Sequence, residues 1–148
     1  MENPYYTKNP LDTQEILEKL KVPRSELRGK MPGVYKITCL ENGKIYIGKS
    51  KKNVYKRIIE NLKSIARYEL YNEELHKDLL CFFPHKFEIE VVAFCPDSSV
   101  VSDIEEILIS KEFSLNPERL YNQNSYCNKW RILKNLKQSE LSKLNKLF

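Results

Sequence analysis

No stretch of about 18 apolar residues occurs in the sequence, so no helix long enough to cross a bilayer is expected. The opening, MENPYYTKNP, lacks the basic-then-apolar order of a secretion leader. The expected location is the cytoplasm, or the nucleus where the cell has one, and not the exterior. Glycine is scarce, with four residues in the chain, and none belongs to a phosphate-cradling loop. A nucleoside-triphosphate enzyme is thereby disfavoured. Histidine is limited to His76 and His85, and the cysteines Cys39, Cys81, Cys95 and Cys127 are widely spaced with no C-x-x-C pair. A zinc site is not expected, and the cysteines read as buried thiols in a reducing compartment. No internal repeat and no low-complexity tract is found.

What is present fits one domain. The chain has 148 residues, of which 41% are hydrophobic and 30% charged, enough for one sizeable core but not for two. Charge is uneven. Residues 123–148 carry six lysines and arginines against Glu140 alone, which accounts for the whole net charge of +5. A basic segment beside a neutral body fits a polyanionic partner, or else the solvated face of an amphipathic helix.

Punctuation and periodicity suggest an N-terminal arm with a short helix (1–30), a central domain (31–123) and a basic helical tail (124–148). Asp12 and Glu15 resemble a capping box ahead of the amphipathic stretch TQEILEKLK. GVYKITC and KIYIGK are β-rich runs on either side of LENGK, and Asn42-Gly43 is a strong hairpin signal. Val54, Ile58, Leu62 and Ile65 recur at helical spacing up to about Ala66. A further helix is expected over NEELHKDLLCFF, ended by Pro84. KFEIEVVAFC alternates and then turns fully apolar, the pattern of a central strand, and Ser98 to Phe113 reads as helix. The order β-β-α-α-β-α predicts a small α/β or α+β domain around a three-stranded sheet.

Strand alternation decides which residues share a surface. With the hairpin centred on Asn42-Gly43, Cys39 would face Tyr46, Ile37 would face Gly48, and Tyr35 would face Ser50. Both tyrosines and Gly48 then lie on one surface, with bare backbone at Gly48. A glycine inside a strand weakens it unless something must approach closely. On the next helix Arg57 and Asn61 stand one turn apart at the edge of the apolar stripe, while Lys56, Glu60 and Lys63 point away. Such an arginine either reaches across to the sheet or is simply solvated. In SDIEEILISKEF, residues Ile104, Ile107, Leu108, Ile109 and Phe113 trace an apolar face with Glu105 in its middle. A carboxylate there is costly unless paired or bound to a cation. It is either a site residue or the N3 member of a capping box begun by Ser102. The helical pattern of SSVV upstream weighs against the cap.

Two phenols, a guanidinium and a carboxylate, with no histidine or cysteine among them, suit phosphoryl chemistry rather than acyl transfer. A lone carboxylate can hold Mg²⁺ or a similar hard ion that keeps several waters. The ion and the arginine can share charge on a phosphate in flight, and a phenol can assist deprotonation of a water. Lys44 and Lys49 flank the second strand and are placed to attract phosphates. In the tail, Tyr126 and Trp130 lie among Lys129, Arg131 and Lys134, an arrangement that can stack on bases while the charges follow the backbone. Packing of Trp130 onto the domain is the equal alternative.

GVY at Gly33–Tyr35, YIG at Tyr46–Gly48, Arg57, Glu105 in EEILI and YN at Tyr121-Asn122 resemble the GIY-YIG nuclease superfamily. The resemblance runs from about Pro32 to Asn122 and rests most on the eleven-residue offset of the tyrosines and on EEILI. The stretch LYNEELHKDLLCFFPHKFEIEVVAF is similar to the middle of the family. The resemblance implies a compact domain with a central three-stranded antiparallel sheet flanked by helices. It implies metal-dependent hydrolysis of phosphodiester bonds in DNA, with one divalent ion held by Glu105, Mg²⁺ with Mn²⁺ as a substitute. It casts Tyr35 as general base, Tyr46 as an orienting or phosphate-contacting group, Arg57 as the phosphate binder and Asn122 as a brace. Gly33 and Gly48 would be structural residues at the site. Lys44, Lys49, Lys56, Asn61, Lys129, Trp130, Arg131 and Lys134 complete the expected nucleic-acid contacts.

Some features depart from the family pattern. Many members carry histidine four residues after the arginine, where this chain has Asn61, and an amide cannot take a proton. Lys52-Asn53 adds a residue before Arg57, so that Lys56 could compete with it, and SLNPER is slightly long. DNA is the expected partner and a membrane is not. Selectivity is expected from a homodimer, from DNA shape or branching, or from a targeting protein. A restriction-type, mobile-element or phage role would fit. Two alternatives stand beside this reading: a nucleic-acid-binding adaptor of the same fold without useful catalysis, and a structure-selective repair nuclease or one acting on RNA.

Overall fold

The computed structural model describes residues 11–67 and 72–122. The expectations placed on Lys129, Trp130, Arg131, Lys134 and Cys127 lie outside the described residues. Helix α1 (Thr13–Leu20) starts at Asp12, whose carboxylate accepts the Gln14 N–H, and ends where Lys21 turns left-handed. A 3₁₀ turn, Arg24–Arg28, leads to strands β1 (Gly33–Cys39) and β2 (Ile45–Ser50). Helices α2 (Val54–Ala66) and α3 (Glu73–Phe82) each begin on an asparagine, Asn53 and Asn72, whose side chain accepts a first-turn N–H. Strand β3 (Phe87–Phe94) follows, then a 3₁₀ turn, Ser98–Val100, that runs straight into α4 (Val101–Leu115).

The strands form an antiparallel three-stranded sheet in the order β2-β1-β3, flanked by helices as an α+β fold. The middle strand is β1. The apolar end of β3 led the sequence to suggest a central strand, but β3 pairs with β1 alone and lies at an edge. Its apolar residues find partners outside the sheet: α1 packs against it, and the Tyr55 ring of α2 stands 6.1 Å from that of Phe94.

The hairpin register also differs from expectation. Tyr35 pairs with Gly48, Ile37 with Tyr46 and Thr38 with Ile45. The turn is not centred on Asn42-Gly43. The connection is the four residues Leu40–Gly43, closed by a bond from the Cys39 N–H to the Lys44 carbonyl at 2.8 Å. Gly43 takes the left-handed conformation (φ 73°) that ends such a loop, and the Asn42 side chain accepts the Lys44 N–H at 2.9 Å. The slip is by two residues, so it leaves every side chain on its face. The surface shared by both tyrosines and Gly48 survives.

Each face of the sheet has its own core. On one, Tyr35, Ile37, Cys39, Phe87 and Ile89 pack with Ile16 and Leu17 of α1, Ile58 and Leu62 of α2, and Leu75 and Leu79 of α3. On the other, Val34, Ile45 and Ile47 pack with Val101 and Ile109 of α4 and with Leu120. The phenols and α4 therefore belong to opposite layers. Cys39 and Cys95 are buried as expected, but Cys81 is exposed because it sits on the solvent side of α3. No helix among the described residues is long and apolar enough to cross a membrane.

Ile16 is fully buried although it precedes the sheet, so α1 contributes to the main core. Ile16→Ala should lower unfolding stability by about 2–5 kcal/mol in a urea titration. Leu40→Ala, at an exposed turn position, should stay within about 0.5 kcal/mol of the parent. Equal effects of the two would show that α1 does not support the fold.

Candidate active site

The site is built on the contact between Tyr35 and Gly48, opposite each other on β1 and β2. The Tyr35 ring crosses Gly48 so closely that a Cβ there would stand 2.3 Å from both its Cζ and its hydroxyl oxygen. No side chain but hydrogen fits. Gly33 has a similar role at the start of β1, where a Cβ would stand 2.6 Å from the Ala93 carbonyl oxygen of β3. Tyr46 completes the surface, its ring centroid 6.3 Å from that of Tyr35 and tilted by 38°. Tyr35 is fully buried, whereas Tyr46 keeps part of its surface open.

From α2 come Asn61 and Arg57. Asn61 was expected at the rim as a phosphate contact; it is instead buried, and its amide Nδ2 donates to the Tyr35 hydroxyl. It is a partner of the Tyr35 phenol. The reason is that the stripe of α2 is wider than its four apolar residues suggested, because Tyr35 brings a polar oxygen into the helix–sheet layer. Arg57, one turn earlier, is exposed, yet its positive charge acts on both phenols. The added residue before it does not hand its place to Lys56, which is exposed and whose N–H is capped by Asn53.

Glu105 comes from the opposite layer. Helix α4 begins at Val101 with Val100 at its N-cap, so Glu105 lies in the second turn and Ser102 does not cap it. The capping-box alternative is excluded. Ser102 Oγ instead receives the Lys49 ammonium at 2.9 Å, and that ammonium stands 3.6 Å from Glu105 Oε1. Glu105 is 3% exposed. Its negative charge is among the causes that raise the pKa of both tyrosines, so carboxylate and phenols share one electrostatic environment at β2.

The free edge of β2 is held by the segment after α4. The Tyr121 N–H donates to the Ile45 carbonyl at 2.8 Å. The Asn122 side chain then accepts the Ile47 N–H at 3.0 Å and donates to the Ile47 carbonyl at 2.8 Å. One buried amide thus does for Ile47 what a neighbouring strand would do, and holds Tyr46 and Gly48 on either side. Lys44, expected as a phosphate contact, is engaged elsewhere: its ammonium pairs with Glu74 of α3 and lies 6.0 Å from the centre of the Tyr121 ring.

Burial raises the pKa of Tyr35 well above the ordinary phenol value, with the neighbouring Tyr46 adding to it. The Asn61 hydrogen bond and Arg57 pull the other way. Burial also raises Tyr46, followed by Glu105, while Arg57 lowers it. At neutral pH both are therefore neutral phenols. Among the described residues no three acidic, histidine or cysteine side chains converge, so a closed protein cage for a metal is absent there. A single buried carboxylate opposite hydroxyl groups does suit a hard divalent ion that keeps several of its waters.

The family model for the GIY-YIG catalytic domain matches residues 31–122, more than half of the chain. The chain belongs to the GIY-YIG family. No curated protein and no solved structure matches it. GIY-YIG proteins are nucleases, so at family level the chain is an endonuclease-type hydrolase acting on nucleic acid. Within this GIY-YIG domain the sequence signature did not disclose the Lys49–Ser102–Glu105 link or the inward turn of Asn61. Alternation does carry a signal for the first: Lys49 follows Gly48 and must face the α4 layer. Nothing in the sequence signals the second, since a polar residue beside a helical stripe is ordinarily solvated.

Gly48→Ala tests the central contact. Overpacking against Tyr35 should cost about 1–3 kcal/mol in chemical denaturation, although alanine normally favours a strand over glycine. A neutral or stabilising result would mean that Tyr35 does not lie across Gly48.

Proposed function

We propose that this GIY-YIG protein is a metal-dependent endonuclease that hydrolyses phosphodiester bonds in DNA. The observation that carries the reading is Glu105, a carboxylate buried in an otherwise apolar helix face, whose charge acts on the same two phenols as the charge of Arg57. A buried charge is costly unless it is paired or bound to a cation, and the Lys49 ammonium stands 3.6 Å from this one. GIY-YIG nucleases use divalent metals. Here Glu105 would hold the ion, Mg²⁺ or Mn²⁺, with waters filling its other positions. Bound there, the ion would supply positive charge near the phosphate under attack and help to deprotonate a water.

The chain's own residues divide the remaining work. Arg57, exposed at the edge of the site, grips the scissile phosphate with its planar fork of donors. Tyr46, the phenol with open surface, donates to the phosphate or to the attacking water. The resemblance cast Tyr35 as general base; full burial, a raised pKa and the Asn61 bond support a different role, in which Tyr35 fixes the hairpin and Tyr46 behind the reaction centre. Asn122 keeps β2 from fraying where these groups meet. Lys49 balances Glu105 from the α4 side.

Glu105→Gln should abolish cleavage of plasmid DNA in Mg²⁺ while leaving the fold intact, as should EDTA with the parent protein. Cleavage that persists in either case would remove the metal assignment, and DNA binding without cleavage by the parent would favour an adaptor. Tyr46→Phe should lower kcat by about 10²–10⁴-fold, the usual worth of a positioned proton-transfer or donor group. Tyr35→Phe should cost less in kcat and more in stability. The reverse ranking, measured in single-turnover assays, would return the base role to Tyr35.

A further inference from the structure

Arg57 belongs to two surfaces. Its charge acts on both phenols, and it also lines an open groove of about 1210 Å³. Three parts of the chain wall this groove: Leu27 to Pro32 ahead of β1, Ser50 to Arg57 between β2 and α2, and Pro96 with Ser98 after β3. Arg28, Lys30, Lys51, Lys52, Lys56 and Arg57 line it, all exposed, against Glu60 alone. Five lysines outside the groove, Lys36, Lys44, Lys49, Lys77 and Lys86, each pair with a carboxylate. Among the described residues none of the six groove cations does. Cations concentrated in a concave wall repel one another unless a polyanion fills it, and they raise the local concentration of such a polyanion.

We propose that this groove carries the sugar–phosphate backbone next to the phosphate held by Arg57, and that the segment before β1 is a built part of the nucleic-acid surface. The proposal rests on the functional reading above and extends it to residues that the family match does not include. Arg28 and Lys30 precede residues 31–122, the span that the family model matches.

The wall is fixed in place. Asn53, 6% exposed, donates from its amide to the carbonyls of Glu26 at 2.9 Å and Gly29 at 2.5 Å, while its oxygen accepts the Lys56 N–H at 3.1 Å. The Val54 N–H adds a bond to the Met31 carbonyl at 2.9 Å. The residue that looked like an insertion before Arg57 is therefore the clamp between the two basic walls. Every hydrogen-bonding group of that amide is spent on holding Arg28 and Lys30 opposite Lys56 and Arg57.

The test is the salt dependence of binding by the full chain, measured by fluorescence anisotropy with a short duplex DNA and a single-stranded RNA of equal length, in EDTA. Arg28→Ala/Lys30→Ala and Lys51→Ala/Lys52→Ala should each flatten the slope of log K against log salt. The expected change is about 0.9 per lost contact on duplex DNA and about 0.7 on a single strand. Binding should weaken on both nucleic acids. Lys77→Ala/Lys86→Ala, which removes two paired lysines, should leave the slope alone. Groove variants with the parent slope on both nucleic acids would overturn the proposal. Glu105→Gln separates the two readings, since it should bind with the full slope and not cut. Flat-slope groove variants together with an active Glu105→Gln would keep the groove and remove the mechanism.

Discussion

A ring lying on bare backbone is the constraint that orders the rest of this molecule. Because Gly48 has no side chain, Tyr35 can cross β2 and place its hydroxyl against Asn61 of α2. That contact joins the middle strand, the edge strand and the first helix after the hairpin in a single interaction. It also fixes what surrounds it. Tyr46 can only lie to one side, and Arg57, one turn from Asn61, is brought to the rim where its charge is felt by both phenols. Glycine inside a strand normally loosens it; here the loss is offset by a buried aromatic ring of large area.

The second determinant is that β2 is an edge strand. The phenols point from the strands into the α2 layer and the carboxylate comes from α4 on the other face of the sheet, and a fully flanked strand would hold them apart. At the edge, the α4 side and the α2 side are separated by one strand only. Lys49 and Tyr46, near neighbours on β2, point to the two layers in turn and so touch both halves of the site. An open edge would invite further pairing. Asn122 closes it with a side chain, which supplies the hydrogen bonds of a strand without its bulk.

Much of this could be read from residue order, and the parts that could not share a cause. The three strands, four helices and the face common to both tyrosines follow from periodicity, which is local. The hairpin register failed by two residues because Asn42-Gly43 suits both the centre of a short turn and the end of a longer one, with Gly43 left-handed in either. The position of β3 failed because its apolar end is only partly buried and packs against helices, α1 among them, and such packing depends on tertiary contact. The surroundings of Asn61 and Lys44 were not legible for the same reason. Each finds its partner far along the chain, Tyr35 in one case and Glu74 in the other, and no pattern around either residue records that partner.

Charge pairing ties these observations together. Where this fold needs a cation for structure, it pairs it: Lys49 lies between Ser102 and Glu105, and Lys44 lies against Glu74. The Lys49 contact is loose, at 3.6 Å from the carboxylate and with its side chain 37% exposed, and a lysine is a hydrated point charge on a flexible stem. Such a partner lowers the cost of keeping Glu105 buried without holding it in a rigid bidentate pair. In the proposed nuclease this is the property needed at that position, because the carboxylate must stay ionised before a divalent ion arrives and must then accept it. The groove cations follow the opposite rule. They pair with no carboxylate among the described residues, and Asn53 ties together the backbone segments that carry them, so that a polyanion in the groove would relieve their mutual repulsion.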